Sequence, residues 1–133
     1  MGEHRVAVVT PVGVVRGRDA VYLDAVDLDY TARRVGFRGT LNPALCSEAP
    51  RGDDWPGYEI VFRDVLALRM TELDLDGGEG GSSFDEVVGS RWLKALKARD
   101  RAAKVSAGHR HFVPETYDDV FELVSSGFDL GVR

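Results

Sequence analysis

The sequence predicts an α+β fold: an antiparallel, twisted sheet, folded into a partial sandwich or barrel, with one main α-helix packed on it. Two observations lead to this class. Apolar and polar residues alternate with a period of two through most of the chain, as half-buried strands require. One amphipathic helix pattern covers residues 91–103. Because 133 residues suit one hydrophobic core, residues 1–133 are predicted to form a single domain.

Three strands are predicted in the first third of the chain. "RVAVVTPVGVV" is rich in β-branched residues, and its Pro11 places this strand at an edge or a bulge. "AVYLDAVDLDY" and "RRVGFRGTL" each alternate as strands with one wet face do. "NPALCSEAPRGDDWPGY" then contains three prolines and two glycines, which predicts a long loop at about residues 42–57.

The middle of the chain is predicted to hold one long central strand and then a glycine-rich loop. "YEIVFRDVLALRMTEL" alternates at first and then becomes densely apolar, so a bulge near Asp64 would explain the change of phase. "DLDGGEGGSS" predicts a loop at about residues 74–83. Ser83 and Glu86 have the spacing of a capping box, which predicts a short helical turn over residues 84–88.

The main helix is the most basic segment of the chain. Ser90 is expected to cap it, and Trp92, Leu93 and Leu96 are expected to face the core. "RWLKALKARDRAAK" carries six basic residues and one acid, although the whole chain has a net charge of −5. A basic helix on an acidic body favours self-association or an acidic protein partner and disfavours nucleic acid, which the remaining surface would repel. The residues predicted to bind such a partner are Lys94, Lys97 and Arg101.

The stretch "HRHFVPETYDDVFE" allows two interpretations. Tyr117, Val120 and Phe121 have helical spacing. The β-branched and aromatic composition, with Asp118 and Asp119 at the length of a hairpin turn, indicates two paired strands instead. We favour the hairpin, followed by a turn and a last short strand in "SSGFDLGV". The core is predicted to include Val8, Leu23, Val35, Phe37, Ile60, Phe62, Leu66, Leu68, Phe112, Phe121 and Leu123.

The hairpin interpretation also suggests a metal site. On a strand, His109 and His111 share a face, and Glu115 lies on that face further along. Two imidazoles and a carboxylate can bind zinc or iron. We expect no cofactor. The alternative is a divalent metal ion bound by these three residues.

Other chemistry finds no complete motif. The glycine-rich loop lacks the lysine of a phosphate-binding loop, and it has the wrong residues at the fifth and sixth positions of a calcium loop. Cys46 has no catalytic signature, and no GxSxG elbow occurs. The chain is therefore expected not to be an enzyme; the second hypothesis is a metal-binding protein or a metal-dependent enzyme that uses His109 and His111. A third hypothesis places a small ligand under the loop at 42–57, where Trp55 and Tyr58 could stack on it.

Three sequence features bear on the cellular compartment of the protein. There is no run of about 18 apolar residues to span a membrane. The N-terminal apolar stretch is interrupted by Thr10 and Pro11, and no small-residue cleavage pattern follows it. A single cysteine cannot form an internal disulfide. We expect a cytoplasmic protein with no membrane partner.

The second half of the chain resembles a known layout. "YEIVFRDV", then "FDEVVGSRWLKAL", then "HFVPETYDDVFELVSSGFDL" is similar to small uncharacterised bacterial proteins, some of which act as immunity partners that neutralise toxins. The resemblance covers residues 58–130 and implies no catalytic residues. It implies a protein-binding role, and it supports the strand interpretation of the C-terminal stretch. The first functional hypothesis is therefore a non-catalytic, immunity-type protein-binding domain, with a homo-oligomer as the other form of association.

Overall fold

The computed structural model describes residues 2–48, 54–76 and 81–133. Within these ranges strands make up most of the regular structure, and one α-helix accompanies them, as the α+β prediction requires. Two short 3-10 turns cover Pro43–Leu45 and Leu73–Leu75. The strands and the helix are β1 (His4–Ala7), β2 (Val21–Asp29), β3 (Arg34–Leu41), β4 (Gly57–Arg63), β5 (Ala67–Glu72), β6 (Phe84–Val88), α1 (Arg91–Arg99), β7 (Arg110–Pro114), β8 (Asp119–Ser125) and β9 (Gly127–Val132).

The strands of the described ranges form two antiparallel sheets. One has five strands in the order β1-β6-β7-β8-β5, and the other has four in the order β2-β3-β4-β9. Each sheet therefore mixes strands from both halves of the chain. In this order β2 and β5 are edge strands, and so are β1 and β9.

The two sheets share one apolar core, and Phe62 of β4 is at its centre. Its ring lies 5.7 Å from the ring of Phe112 in β7 and 6.1 Å from that of Phe84 in β6, centroid to centroid. Phe37 of β3 contacts Phe121 of β8 at 4.9 Å. These rings join strands of different sheets, so burial of both inward faces in one cluster holds the sheets together.

The predicted long central strand is wrong, because the chain changes sheets at Asp64. This residue has φ of 47°, in the left-handed region, and it separates β4 of the four-stranded sheet from β5 of the five-stranded sheet. The change of phase in the sequence thus marks a sharp bend between two strands and not a bulge within one. A densely apolar run fits both arrangements, which is why periodicity did not separate them.

The predicted helical turn over residues 84–88 is also wrong. These residues form β6, which pairs with both β1 and β7. Ser83, predicted to cap a helix, instead donates its hydroxyl to the carbonyl oxygen of Gly17. The main helix starts as predicted, with the Ser90 side chain accepting the Leu93 N–H. It ends at Arg99, short of the predicted residue 103, because the Asp100 carboxylate accepts the N–H groups of two residues that follow, Lys104 and Val105.

The C-terminal hairpin is confirmed, since β7 and β8 are paired antiparallel strands and β9 follows. In the first half β2 and β3 are confirmed, but β2 contains a bulge between Leu23 and Ala25. Gly39 lies opposite this bulge, where a Cβ atom would lie 1.8 Å from the carbonyl oxygen of Tyr22. Only glycine fits so close to the neighbouring backbone. Pro11 lies in a turn that follows the edge strand β1.

Most of the predicted core is buried, with three kinds of exception. Val8 and Leu23 are half-buried against the core, and Leu66 is half-buried. Leu68 is 38% exposed. The helix does not enter the core: no residue of α1 is fully buried, and its first turn packs on the outer face of the five-stranded sheet. The half-buried helix residues are the predicted ones, Trp92, Leu93 and Leu96.

The two predicted loops are described in part. The first begins with the turn Pro43–Leu45, and β4 begins at Gly57, while residues 49–53 lie outside the described residues. Of the second, residues 77–80 lie outside them. In the described ranges, no helix has the length and hydropathy needed to cross a membrane.

Candidate functional site

The histidine predicted to bind a metal, His111, is the centre of a buried hydrogen-bond network on the outer face of the five-stranded sheet. Its Nδ1 lies 2.7 Å from the Ser90 hydroxyl, and its Nε2 lies 2.9 Å from the Glu122 carboxylate. Arg69 of β5 binds the same carboxylate through two nitrogens, at 2.6 and 3.1 Å. The Trp92 ring contacts the imidazole edge to face, with 5.0 Å between ring centroids. The Arg69 guanidinium stacks on the Trp92 ring, 4.1 Å from its centroid. The network therefore joins α1 to β5, β7 and β8.

Serine, histidine and glutamate in a hydrogen-bonded row are also the groups of a nucleophilic triad. Here the Ser90 oxygen accepts the Leu93 N–H at 3.0 Å, and the residue is only 4% exposed. A nucleophilic oxygen must reach a substrate carbon, and this one caps a helix beneath the surface. We assign the row a structural role: it attaches the start of α1 to the sheet.

The network makes the stability of the fold dependent on pH. Hydrogen bonds from His111 and Arg69 lower the pKa of Glu122 from 4.5 to about 2. A folded-state pKa below the unfolded one stabilises the fold above pH 4.5, and this contribution is lost as the pH falls towards 2. We expect Glu122→Gln to lower the free energy of unfolding by about 1.5 kcal/mol near neutral pH. Urea denaturation should show the difference from wild type shrinking between pH 4.5 and 2.

Glu59→Gln is the matched control, because Glu59 is exposed on β4 in the other sheet. It should leave both the stability and its pH dependence unchanged. A Glu122→Gln protein whose deficit is as large at pH 2 as at neutral pH would show that the carboxylate does not contribute through its charge.

The other two predicted metal ligands have different partners. His109 is buried, with Nδ1 at 3.0 Å from the Ser106 backbone N–H and Nε2 at 3.1 Å from the Asp64 carbonyl oxygen. It thus holds the bend between β4 and β5. Glu115 binds Arg5 of β1 at 3.3 Å, and its partial burial raises its pKa. Across residues 2–48, 54–76 and 81–133, no three His, Cys, Asp or Glu side chains form a group that could hold a metal ion.

Trp55 and Tyr58, the predicted stacking pair, face different environments. Trp55 is exposed and lies against Tyr22, with ring centroids 5.3 Å apart. Tyr58 is buried, which raises its pKa, and its hydroxyl donates to the carbonyl oxygen of Tyr22. It lines an apolar cavity of about 50 Å³ between the sheets. Ligand sites of small molecules have volumes of roughly 300–1,000 Å³, so this cavity is a packing gap by comparison.

The environment of Cys46 does not suit a catalytic thiol. The thiol is buried beside the 3-10 turn, and it lies 3.4 Å from the carbonyl oxygen of Asn42. Burial raises the pKa of this thiol, so it stays protonated and is a poor nucleophile. The role is that of a small apolar residue.

The predicted basic surface is present on α1 and the residues after it. Lys94 and Lys97 are exposed on the helix, and Arg101 is exposed just beyond its end. Arg91 and Arg99 are exposed as well. Within the described part of the chain, no carboxylate comes within 4.0 Å of these five cations. Their charge is therefore directed to the solvent.

A feature that the sequence analysis missed is an open apolar groove between the edge strands β2 and β5. Leu28 is 64% exposed, although it pairs with the buried Val35 and so points inward. Met70 is 63% exposed and points inward beside the buried Phe121. Leu68 shares its face, and Tyr30 follows the end of β2. We call this surface the β2–β5 groove; a cavity of about 230 Å³ at one end of it is lined by Leu28, Asp29, Tyr30, Arg33, Val35, Val65, Leu66, Ala67 and Leu68.

Two features of the sequence concealed the groove. Before the bulge in β2, Val21 and Leu23 point inward, and after it the inward residues are Val26 and Leu28. Strict alternation without the bulge would place Val26 and Leu28 on the wet face. Leu68 was predicted to be in the core because its own strand has an apolar inward face. The sequence of one strand does not show whether the opposite sheet covers that face. The signal was the even spacing of Val26, Leu28 and Tyr30 after the bulge.

The described residues thus offer a buried histidine network, a solvent-directed basic helix and an open apolar groove. Comparison of the chain with protein-family models, with curated proteins and with solved structures gives no match to any of them.

Proposed function

We propose that this chain is a non-catalytic protein-binding domain of the immunity type, which acts in the cytoplasm and receives its partner in the β2–β5 groove. The observation that carries the proposal is exposure on the inward faces of two edge strands. Leu28, Leu68 and Met70 point towards the core side of their sheets, yet they are 64%, 38% and 63% exposed. Burying such side chains contributes about 25 cal/mol for each Å² removed from water.

The shape of the fold supports the same conclusion. We infer that the two open sheets form a partial sandwich, closed where aromatic rings of both sheets meet and open along β2 and β5. Exposed apolar surface along an unpaired strand is a liability unless something binds there. A protein segment fits this groove better than a small molecule does, because exposed apolar side chains continue along β5 beyond the cavity of about 230 Å³, and an edge strand offers backbone groups for pairing.

A photo-crosslinking amino acid in place of Met70 tests the proposal in the organism that encodes the chain. We expect one discrete cross-linked protein, identified by mass spectrometry. The adduct should disappear when Leu28→Asp is added, since a carboxylate in the groove disfavours apolar contact. Growth arrest by that protein, relieved by this chain, would support the immunity-type role.

The control places the same amino acid at Glu59, on the outer face of the other sheet. No discrete adduct should form there. Equal adducts from both positions, or none from position 70, would remove the groove as the binding surface.

A further inference from the structure

We propose that the segment bound in the β2–β5 groove is an extended strand of alternating apolar and acidic residues, which adds to the free edge of β5. This inference rests on the proposed function and specifies the chemistry of its partner. It follows from the difference between the two edges, from the two faces of β5 and from the charges beside them.

The two edge strands differ in how open they are to a new strand. β2 carries three acids, Asp24, Asp27 and Asp29, whereas β5 carries Glu72 at its end and Arg69, which is already paired with Glu122; charged side chains along an edge discourage pairing. Its bulge further disturbs the row of backbone groups. β5 pairs with β8 in unbroken register from Ala67 to Glu72 and has no proline. Among the described residues, no strand occupies its other side. A sixth strand of the sheet would therefore pair with β5.

The two faces of β5 require different side chains from the added strand. Leu68 and Met70 are on the inward face, so every second residue of the partner would enter the groove and should be apolar. Arg69 is on the outward face, half exposed, and already stacks on Trp92 of α1. The alternate residues of the partner would lie beside this guanidinium.

The charge near β5 on the outward side is positive. Trp92 places the first turn of α1 over Arg69, and the helix directs Lys94 and Lys97 to the solvent. At physiological salt, charges act over roughly 8 Å. On the groove side, the exposed Arg33 lines the cavity and stacks on Tyr30. On β2, Asp27 is paired with Arg38, and Asp29, which lines the cavity, accepts the Ala32 N–H. Arg69 is already paired with Glu122, so carboxylates on the outward side of the partner would act with Lys94 and Lys97, which have no carboxylate within 4.0 Å among the described residues.

The test uses four labelled probes, three ten-residue peptides and one oligonucleotide, together with the full chain. One alternates Glu and Val, one alternates Lys and Val, one has the same Glu and Val residues in two blocks, and the fourth probe is a ten-nucleotide oligothymidine. We expect the alternating Glu-Val peptide to bind at least tenfold more tightly than each of the others. On binding, hydrogen exchange should slow at the amides of β5 and not at those of β1 or β9.

Variants separate the contribution of each face. Met70→Asp should weaken binding of the Glu-Val peptide at least tenfold. Lys94→Glu with Lys97→Glu should weaken it about fivefold at low salt, with no difference at high salt. The matched control, Arg16→Glu with Arg133→Glu, reverses two exposed charges that do not line the groove's cavity. It should leave the affinity within twofold of wild type.

Each outcome decides a different point. Equal binding of the Glu-Val and Lys-Val peptides would overturn the acidic partner and leave the groove as a protein-binding site. Equal binding by the oligothymidine would show that the basic helix takes nucleic acid. A dimer in sedimentation velocity that Met70→Asp dissociates would show that a second copy fills the edge. No binding by any peptide, with a crosslink from position 70, would retain the proposed function and refute strand addition.

Discussion

Replacing Phe62 by alanine should lower the free energy of unfolding by about 3–5 kcal/mol, the largest loss expected from a single substitution in this chain. Its ring is fully buried and contacts those of Phe37 and Phe128 in its own sheet, and of Phe84 and Phe112 in the other. Truncation leaves a cavity between the two sheets that none of these rings can fill. Urea denaturation followed by circular dichroism would give the value.

Leu75→Ala provides the control, because Leu75 is 79% exposed and its truncation should change stability by less than about 0.5 kcal/mol. If Phe62→Ala cost no more than Leu75→Ala, the two sheets would not depend on a shared core. A lower slope with urea in the Phe62→Ala protein would indicate a looser native state.

Replacing Asp85 by alanine should cost about 3 kcal/mol, because it removes the acceptor for several buried donors. The carboxylate is fully buried in β6. It accepts the backbone N–H groups of Gly81 and Ser82, lies 2.6 Å from the Ser82 hydroxyl, and has the Arg5 guanidinium 3.9 Å away. Without it, the chain at Gly81 and Ser82 loses its attachment to the sheet. Urea denaturation and hydrogen exchange at Ser82 and Ser83 measure the global and the local effect.

Asp85→Asn is the graded control. The amide keeps one acceptor oxygen, so about half of the loss should remain and exchange at Ser82 should rise less. An alanine variant as stable as wild type would mean that water replaces the carboxylate at no cost. The donors at Gly81 and Ser82 would then not depend on this side chain.

The sequence predicted those parts of the fold whose side chains alternate with a clear period. The strands containing Val35, Phe37, Ile60 and Phe62 were identified because each has one buried and one wet face. The C-terminal hairpin was identified from composition, against a competing helical spacing at Tyr117. In these places local pattern and tertiary burial agree.

The wrong predictions concern residues whose local spacing is typical of one structure but whose side chains bind residues far away in the sequence. Ser83 and Glu86 have the spacing of a capping box, yet Ser83 binds Gly17 and Glu86 binds Arg110 from the next strand. The apolar run after Asp64 fitted one long strand equally well, because no local pattern shows which sheet a strand joins. Tertiary pairing outweighs local propensity in such segments.

The candidate site was harder to predict than the fold. His109 and His111 were selected by residue type, but their partners at Asp64 and Glu122 come from other strands. The β2–β5 groove depends on how far the two sheets overlap, and this overlap cannot be predicted from the sequence of a single strand. The basic surface at Lys94 and Lys97 could be predicted because it needs only the helix itself.

The strand order also sets when the protein can fold. Arg5 of β1 pairs with Val87 of β6, and Glu59 of β4 pairs with Gly131 of β9, so the contacts that complete both sheets are among the most distant in the chain. The chain loses conformational entropy when such long loops close, before the strand contacts form that offset this loss. Sheets of this kind therefore fold in milliseconds to seconds. A chain still emerging from the ribosome leaves one side of β4 unpaired until β9 has been made. The four-stranded sheet can be completed only after residues 127–132 are synthesised.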